Sequence, residues 1–289
     1  MPSLKALRSR IKSVKNTRQI TKTMKMVAAA KVRRARAAVE SARPYAAHLS
    51  GILGNIAAGS KGSSLLLLTG RARVKNVCLI VCGSDRGLCG GLNSNLLREA
   101  QAWIKARQAQ GQGVKLVAVG RKMREGLSVL HPELLVVSHT DMGRTVEFSH
   151  AQTVATEALT MFEGGAVDEV HIMSSELVSM LSQVPQTKQL IPFARPQQAD
   201  ADELRATPEY EPDDETVLNH LLPLNLNMQV FSALLETAAS EQAARMAAMD
   251  SATRNAGEMI KRLSVQYNRS RQAAITTELI EIIAGAEAL

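Results

Sequence analysis

The residues best placed to do chemistry in this 289-residue chain lie in one glycine-rich run, Gly83-Ser84-Asp85-Arg86-Gly87-Leu88-Cys89-Gly90-Gly91-Leu92. The run follows an apolar, strand-like stretch and opens a helical pattern, the place where backbone N–H groups can cradle a phosphate. Its spacing matches neither G-x-G-x-x-G nor a loop ending in Gly-Lys-Ser/Thr. A tight strand-to-helix turn that needs positive φ is therefore the favoured reading. The six histidines, His48, His131, His139, His150, His171 and His220, are scattered, with no pair at helical metal spacing. No G-x-S-x-G and no paired-carboxylate signature is present. Cys78 and Cys82 fall on one strand-like run, about 13 Å apart and out of disulfide reach. With Cys89 they make no metal spacing, and free buried thiols suit a reducing compartment. No catalytic, cofactor-binding or metal-binding residue is expected in the chain itself.

Charge is the second chemical signal. Residues 1–43 carry 13 Lys/Arg against one acid, Glu40, which leaves the other residues mildly acidic within a net charge of +8. A helix of one sign asks for an acidic partner. Nucleic acid is one candidate, and a basic coiled-coil nucleic-acid-binding protein is the alternative function. Residues 1–43 contain no aromatic, so that alternative has phosphate tracking but no stacking platform. An aromatic content of 3% beside abundant Ala favours close helix packing over a β-sandwich. No run of 18 apolar residues is available to span a bilayer. The start, Met1-Pro2-Ser3-Leu4-Lys5, has no apolar signal core, and no removable leader is expected.

The elements that must position these groups are unusual in length. Residues 3–43 hold no Gly or Pro, and residues 224–284 hold only Gly257. As helices they would run roughly 60 Å and 90 Å. The first carries Leu4, Leu7, Ile11 and Val14, then Ile20, Met24 and Val27, then Ala28, Val32, Ala35 and Val39, a coiled-coil seam with a stutter. Pro44 is expected to kink or end it, and 59–73 to form a loop. The second carries Val230, Leu234, Ala238, Met246, Met249, Met259, Leu263 and Tyr267, with a possible break at Pro223 and a mostly apolar tip from Ile275. Between them, short apolar runs at Val77–Cys82, Val114–Val119, Leu134–Ser138 and Glu169–Met173 alternate with helical patterns at Leu92–Gln108, Arg121–Leu127 and Ser149–Phe162. A last strand at Gln189–Phe193 is expected to close the sheet. The fold class is α/β with a long coiled coil. The terminal helices make an antiparallel shaft, and the centre is a Rossmann-like, doubly wound, mostly parallel sheet. The expected divisions are 1–58 (first coiled-coil helix), 74–195 (α/β foot), 196–211 (acidic linker) and 212–289 (second coiled-coil helix).

Four segments carry a family resemblance. They are Ile11-Lys12-Ser13-Val14-Lys15-Asn16-Thr17 with Ile20 to Lys31, Ser84 to Asn93, Glu241 to Met249, and Tyr267 to Thr276 with Glu278-Leu279. Together, in order and across nearly the whole chain, they resemble the gamma subunit of the F-type, proton-translocating ATP synthase of bacterial type.

The resemblance implies a central rotor stalk, non-catalytic by itself. Such a stalk couples proton flow through the membrane c-ring to conformational cycling of catalytic beta subunits. The implied partners are the alpha3–beta3 hexamer, the epsilon subunit and the c-ring, with no nucleic acid. No cofactor is implied on this chain; ATP, ADP and Mg belong to the alpha and beta subunits. The implied location is peripheral, on the cytoplasmic face of a bacterial inner membrane, with membrane association only through the complex. By matching position, Met24, Lys25, Arg245, Arg271, Gln272, Thr276 and Glu278 resemble the family's coupling contacts to the alpha–beta ring. Tyr210 and Glu211 resemble foot contacts to the c-ring and epsilon. The absence of any cysteine after Cys89 removes the cysteine-bearing insert of chloroplast homologues.

Overall fold

The computed structural model describes residues 3–59, 66–141, 145–193 and 214–287. Contacts divide the chain into two compact units, Met1–Ala29 with Arg245–Leu289, and Ala30–Ala244. The helices are α1 (Leu4–Gly59), α2 (Leu66–Thr69), α3 (Leu92–Ala109), α4 (Arg121–Leu130), α5 (Phe148–Glu163) and α6 (Asp214–Glu287). Both α1 and α6 contribute to each unit.

In the larger unit the strands are β1 (Asn76–Cys82), β2 (Gly113–Val119), β3 (Leu135–His139), β4 (Glu169–Leu177) and β5 (Gln183–Ile191). They form one sheet in the order β3-β2-β1-β4-β5, parallel except for β5, which runs antiparallel to β4. Strand β1 lies at the centre, and its apolar run is buried on both faces. On one face Val77, Leu79 and Val81 meet Leu96, Ala100 and Ile104 of α3 and Met123 and Leu127 of α4. On the other, Cys78, Ile80 and Cys82 join a core with α5, with Leu49 and Leu53 of α1, and with Leu218, Leu222 and Leu226 of α6. Each fully buried aliphatic side chain contributes about 1.5–3 kcal/mol. The four-residue steps along α3 and α6 are what bring one stripe of each helix to the sheet.

In the smaller unit α1 and α6 pack antiparallel. Arg8 Nη2 donates to the Tyr267 hydroxyl at 2.9 Å, Thr21 meets Thr253 at 2.8 Å, and Lys25 meets Asp250 at 2.6 Å. Partner numbers thus fall on α6 as they rise on α1. The buried positions step by seven: Leu7, Thr21 and Ala28 on α1, with Val14 half-buried between them, and Met249, Ala256 and Leu263 on α6. That is a heptad seam.

Several expectations are corrected. Ile20 (59% exposed) and Val27 (53% exposed) are outside the seam, whose place is taken by Thr21 and Ala28. Strict seven-residue steps from Leu7 lead to Thr21, so the stutter placed on this stretch from apolarity alone is absent. Likewise Met259 is exposed, with Ala256 and Leu263 in the seam. Helix α1 continues through Pro44 to Gly59. Pro44 and Glu40, whose carbonyl loses its helical donor, are both on the exposed side, while Leu49 and Leu53 beyond them are anchored in the sheet core. Helix α6 runs unbroken through Pro223, held on either side by buried Leu222 and Leu226. Within 59–73 a helical turn forms at Leu66–Thr69, with Leu68 buried. The last strand starts at Gln183 rather than Gln189, because it closes a hairpin with a β4 that continues to Leu177. Its polar run with Pro185 hides it from a search for apolar alternation, as suits an edge strand.

Candidate functional site

The glycine-rich run is spent on its own turn. The Ser84 hydroxyl donates to the Arg86 carbonyl at 2.8 Å, its N–H to Asn93 Oδ1 at 3.3 Å, and Asn93 Nδ2 reaches both Ser84 Oγ and Cys89 Sγ. Positive φ falls on Leu88 (64°) and Gly90 (59°), and a Cβ on Gly83 would come within 2.4 Å of Met123 Cγ. Asp85 Oδ1 accepts the backbone N–H of Arg121 at 2.9 Å and of Asp141 at 3.1 Å, tying together the loops after β1, β2 and β3. This is a structural turn that joins β1 to α3. No cluster able to hold a metal occurs among the described residues.

The carboxyl and imidazole groups of the sheet have structural partners. Asp168 accepts the N–H groups of Lys75 and Asn76 at 2.8 and 2.9 Å. Burial works to raise its pKa, but those two bonds and the charges of Arg71 and Lys75 hold it below the ordinary carboxylate range. His171 is buried edge-on to Trp103 and bonds Glu169 at 3.0 Å. Burial lowers its pKa despite the carboxylate.

The residues singled out on the helices fall into two groups, both in the smaller unit. Met24 and Lys25 lie on α1 and Arg245 on α6, all partly buried. Lys25 pairs with Asp250, their side chains 44% and 36% exposed, and Arg254 approaches the same carboxylate at 3.5 Å. The hydrogen bond from Lys25, reinforced by the charges of Lys25 and Arg254, holds the Asp250 carboxyl below the ordinary range against the opposing effect of burial. Arg245 stands more than a turn before Asp250 on the same helix. Arg271, Gln272, Thr276 and Glu278 are all exposed further along α6. The Thr276 hydroxyl is turned back to the Gln272 carbonyl at 2.9 Å. Beyond them Ile275, Leu279, Ile280, Ile282 and Ile283 are exposed too, because the register that pairs Arg8 with Tyr267 leaves this end of α6 past the start of α1. Tyr210 and Glu211, and the 196–211 linker, lie outside the described residues.

Ile20, Met24 and Val27 do make one stripe at helical spacing, but Ile20 and Val27 face away from α6. They form an apolar strip on a helix whose Lys12, Lys15, Arg18 and Lys22 are exposed as well, while Met26, also exposed, points to another face about 100° round from Val27. Sequence reasoning missed Asp250, Thr21 and Thr253. The signal for all three was the antiparallel register, which places each opposite its partner.

A family model described as ATP synthase matches residues 3–289. The gamma chain of the ATP synthase of Fuscovulum blasticum is 50% identical, with 100% of each chain covered. Those of Sinorhizobium fredii and Paracoccus denitrificans are 48% identical, again with 100% of each covered. The chain belongs to the ATP synthase gamma family. Among solved structures it is similar to a chain in the central stalk and c-ring structure of the Tetrahymena thermophila mitochondrial ATP synthase. The identity there is 29% and the TM-score 0.63, with 81% of this chain and 99% of that one covered. A chain of the Euglena gracilis mitochondrial enzyme, 20% identical with a TM-score of 0.71, covers 99% of this chain and 94% of its own length, and shares the fold. Membership makes the chain a non-catalytic subunit of an ATP synthase. Nothing in these likenesses supports the nucleic-acid-binding alternative.

Proposed function

We propose that the chain is the central rotor stalk of an F-type ATP synthase, with the paired α1 and α6 segments turning inside an alpha3–beta3 hexamer. The observation that carries this reading is the exposed strip of Ile20 and Val27 on a basic helix whose inward seam is already filled by α6. A single-signed helix with an apolar strip facing outward suits acidic loops of a surrounding beta subunit. The two helices present different side chains in different directions, so three identical beta subunits meet different contacts at one moment. Coupling is the resulting difference in contact free energy between beta conformations.

In this reading Met24, Lys25 and Arg245 contact the catalytic ring at one level, and Arg271, Gln272, Thr276 and Glu278 at another. The exposed apolar end of α6 turns in a sleeve without deep ion-pair wells. Breaking a buried pair costs about 3–5 kcal/mol, which exceeds the roughly 2.3 kcal/mol per proton per 100 mV that drives rotation. ATP, ADP and Mg act on the alpha and beta subunits, and this chain holds none of them. The α/β foot rests on the c-ring beside epsilon, with Tyr210 and Glu211 near that contact. The complex lies on the cytoplasmic face of a bacterial inner membrane, reached by this chain only through its partners. No helix among the described residues is long and apolar enough to cross a membrane.

The test is reconstitution with alpha and beta subunits. ATP hydrolysis should depend on adding this chain, and independence would end the rotor reading. Met24→Lys adds a cation beside the Lys25–Asp250 pair, so proton pumping per ATP hydrolysed should fall while assembly persists.

A further inference from the structure

Strand β4 outruns its neighbour. The last β1–β4 pair is Val81 with Met173, yet β4 continues to Leu177, paired on its other side with β5 as far as Gln183. From Ser174 onward the β1-side edge of β4 has no strand. Ser175 turns its N–H and C=O to that edge, and α6 supplies both partners. The Ser175 N–H donates to Thr237 Oγ1 at 3.3 Å, and the Ser240 hydroxyl donates to the Ser175 carbonyl at 2.8 Å. Ser175 is 1% exposed, Thr237 3% and Ser240 0%, so no solvent competes for these groups.

A spacing of three puts the two hydroxyls on one face of α6. They also sit where the helix changes sides. Leu234 belongs to the core on the α5 face of the sheet, whereas Ala244 belongs to the core on the α3 and α4 face. Apolar packing alone would let a helix at such a crossing slide or rotate, since packed helices shear readily by small steps. Two hydrogen bonds to the backbone of one residue fix axial and rotational position together, because their distance and angle limits are narrow.

We infer that Thr237 and Ser240 are positioning residues for rotary coupling. They fasten α6 to the open edge of β4, so that helix and sheet turn as one body. The inference rests on the rotor reading and adds to it the place where torque enters α6 from the sheet.

The test compares Thr237→Val, Ser240→Ala, the pair together, and Thr237→Ser, each in the full chain. Amide exchange at Ser175 reads the contact itself. ATP hydrolysis with alpha and beta alone reads the hexamer, where no torque leaves through the sheet. ATP-driven proton pumping per ATP hydrolysed, by the whole complex in vesicles, reads transmission. Exchange at Ser175 should accelerate about five- to tenfold in Thr237→Val. Hydrolysis with alpha and beta alone should be unchanged. Pumping per ATP should fall about twofold or more in the pair, and Thr237→Ser, which keeps the hydroxyl, should behave as the parent chain. Unchanged exchange would show that the contact is absent. Faster exchange with undiminished pumping would make the two hydroxyls merely structural and overturn the inference. If the paired variant does not fold, Thr237→Val against Thr237→Ser decides the same question. A parent chain that fails to activate hydrolysis overturns the rotor reading and the coupling role with it, while Ser175 exchange still reports whether the clamp forms.

Discussion

Replacing Thr21 and Thr253 by Val, singly and together, tests how the antiparallel pair holds its register. The Thr253 hydroxyl has one proton and two acceptors in reach, Thr21 Oγ1 at 2.8 Å and the Met249 carbonyl at 2.7 Å. The Thr21 hydroxyl donates to the Arg18 carbonyl at 3.0 Å. Either substitution therefore removes one neutral cross-helix hydrogen bond, about 0.5–1.5 kcal/mol. It does not strand a donor, because the surviving proton has an acceptor on its own helix, so the further penalty of about 1–3 kcal/mol for a buried unpaired group is not incurred. Val also fills the seam with a methyl, which offsets part of the loss. Each single variant should lose about 1 kcal/mol or less, and the double variant no more than either single, giving a coupling energy near the value of the one bond. Native-state hydrogen exchange of the α1 amides around Ala28 in all four proteins measures this local opening. A single variant costing more than about 3 kcal/mol, or strictly additive losses, would refute the argument that each hydroxyl keeps a local acceptor.

Three further outcomes follow from the same geometry. Asp250 has a depressed folded pKa, so the contribution of its pair with Lys25 is present above the ordinary carboxylate range and is lost as pH falls through the folded value. An NMR titration of its carboxyl should show a low midpoint that moves up in Lys25→Gln, and an unmoved midpoint would assign the depression elsewhere. Asp168→Ala removes the acceptor of two backbone N–H groups at the start of β1 and should destabilise the larger unit by about 2–4 kcal/mol in urea titration. A loss below about 1 kcal/mol would mean that those amides find other partners. Burial pushes the Cys78 and Cys82 thiols up to about 12, so neither should be alkylated by iodoacetamide at pH 8 until the chain unfolds. Rapid labelling of either in the native chain would contradict their burial.

The strands that could be read from sequence are those buried on both faces. Val77–Cys82 and Val114–Val119 are continuous apolar runs because helices cover both sides of the sheet, and each was placed within a residue of its observed start. The end of β4 and the start of β5 were hidden because their signals are tertiary. Ser174 and Ser175 look like a strand end until α6 supplies the missing partners, and Gln183–Lys188 is polar because it forms an edge. On α1 the apolar stripe of Ile20, Met24 and Val27 was found, but its direction was not. A stripe has no sign without the partner's register, and the polar Thr21 and Thr253 that occupy the seam give no apolar signal. The proposed coupling positions rest on the family resemblance rather than on periodicity. The structure adds the neighbour that sequence could not supply, Asp250 beside Lys25.

A rotor must grip in one place and slip in another, and the same helix is built differently at the two. Where α6 crosses the sheet, the polar side chains of Thr237 and Ser240 are buried and directed to the backbone of a single residue, Ser175. Bonds of that kind are costly to break without replacement partners. Around Lys25 and Asp250 the ion pair is half-exposed, and exposed pairs exchange with water at little cost. From Leu279 to Ala284 the exposed side chains are aliphatic except Glu281, a surface with few directional bonds to break. The interaction therefore changes along α6 from directional and buried, through ionic and wet, to apolar and non-directional. That order suits a shaft fastened at the sheet and free to turn at its end.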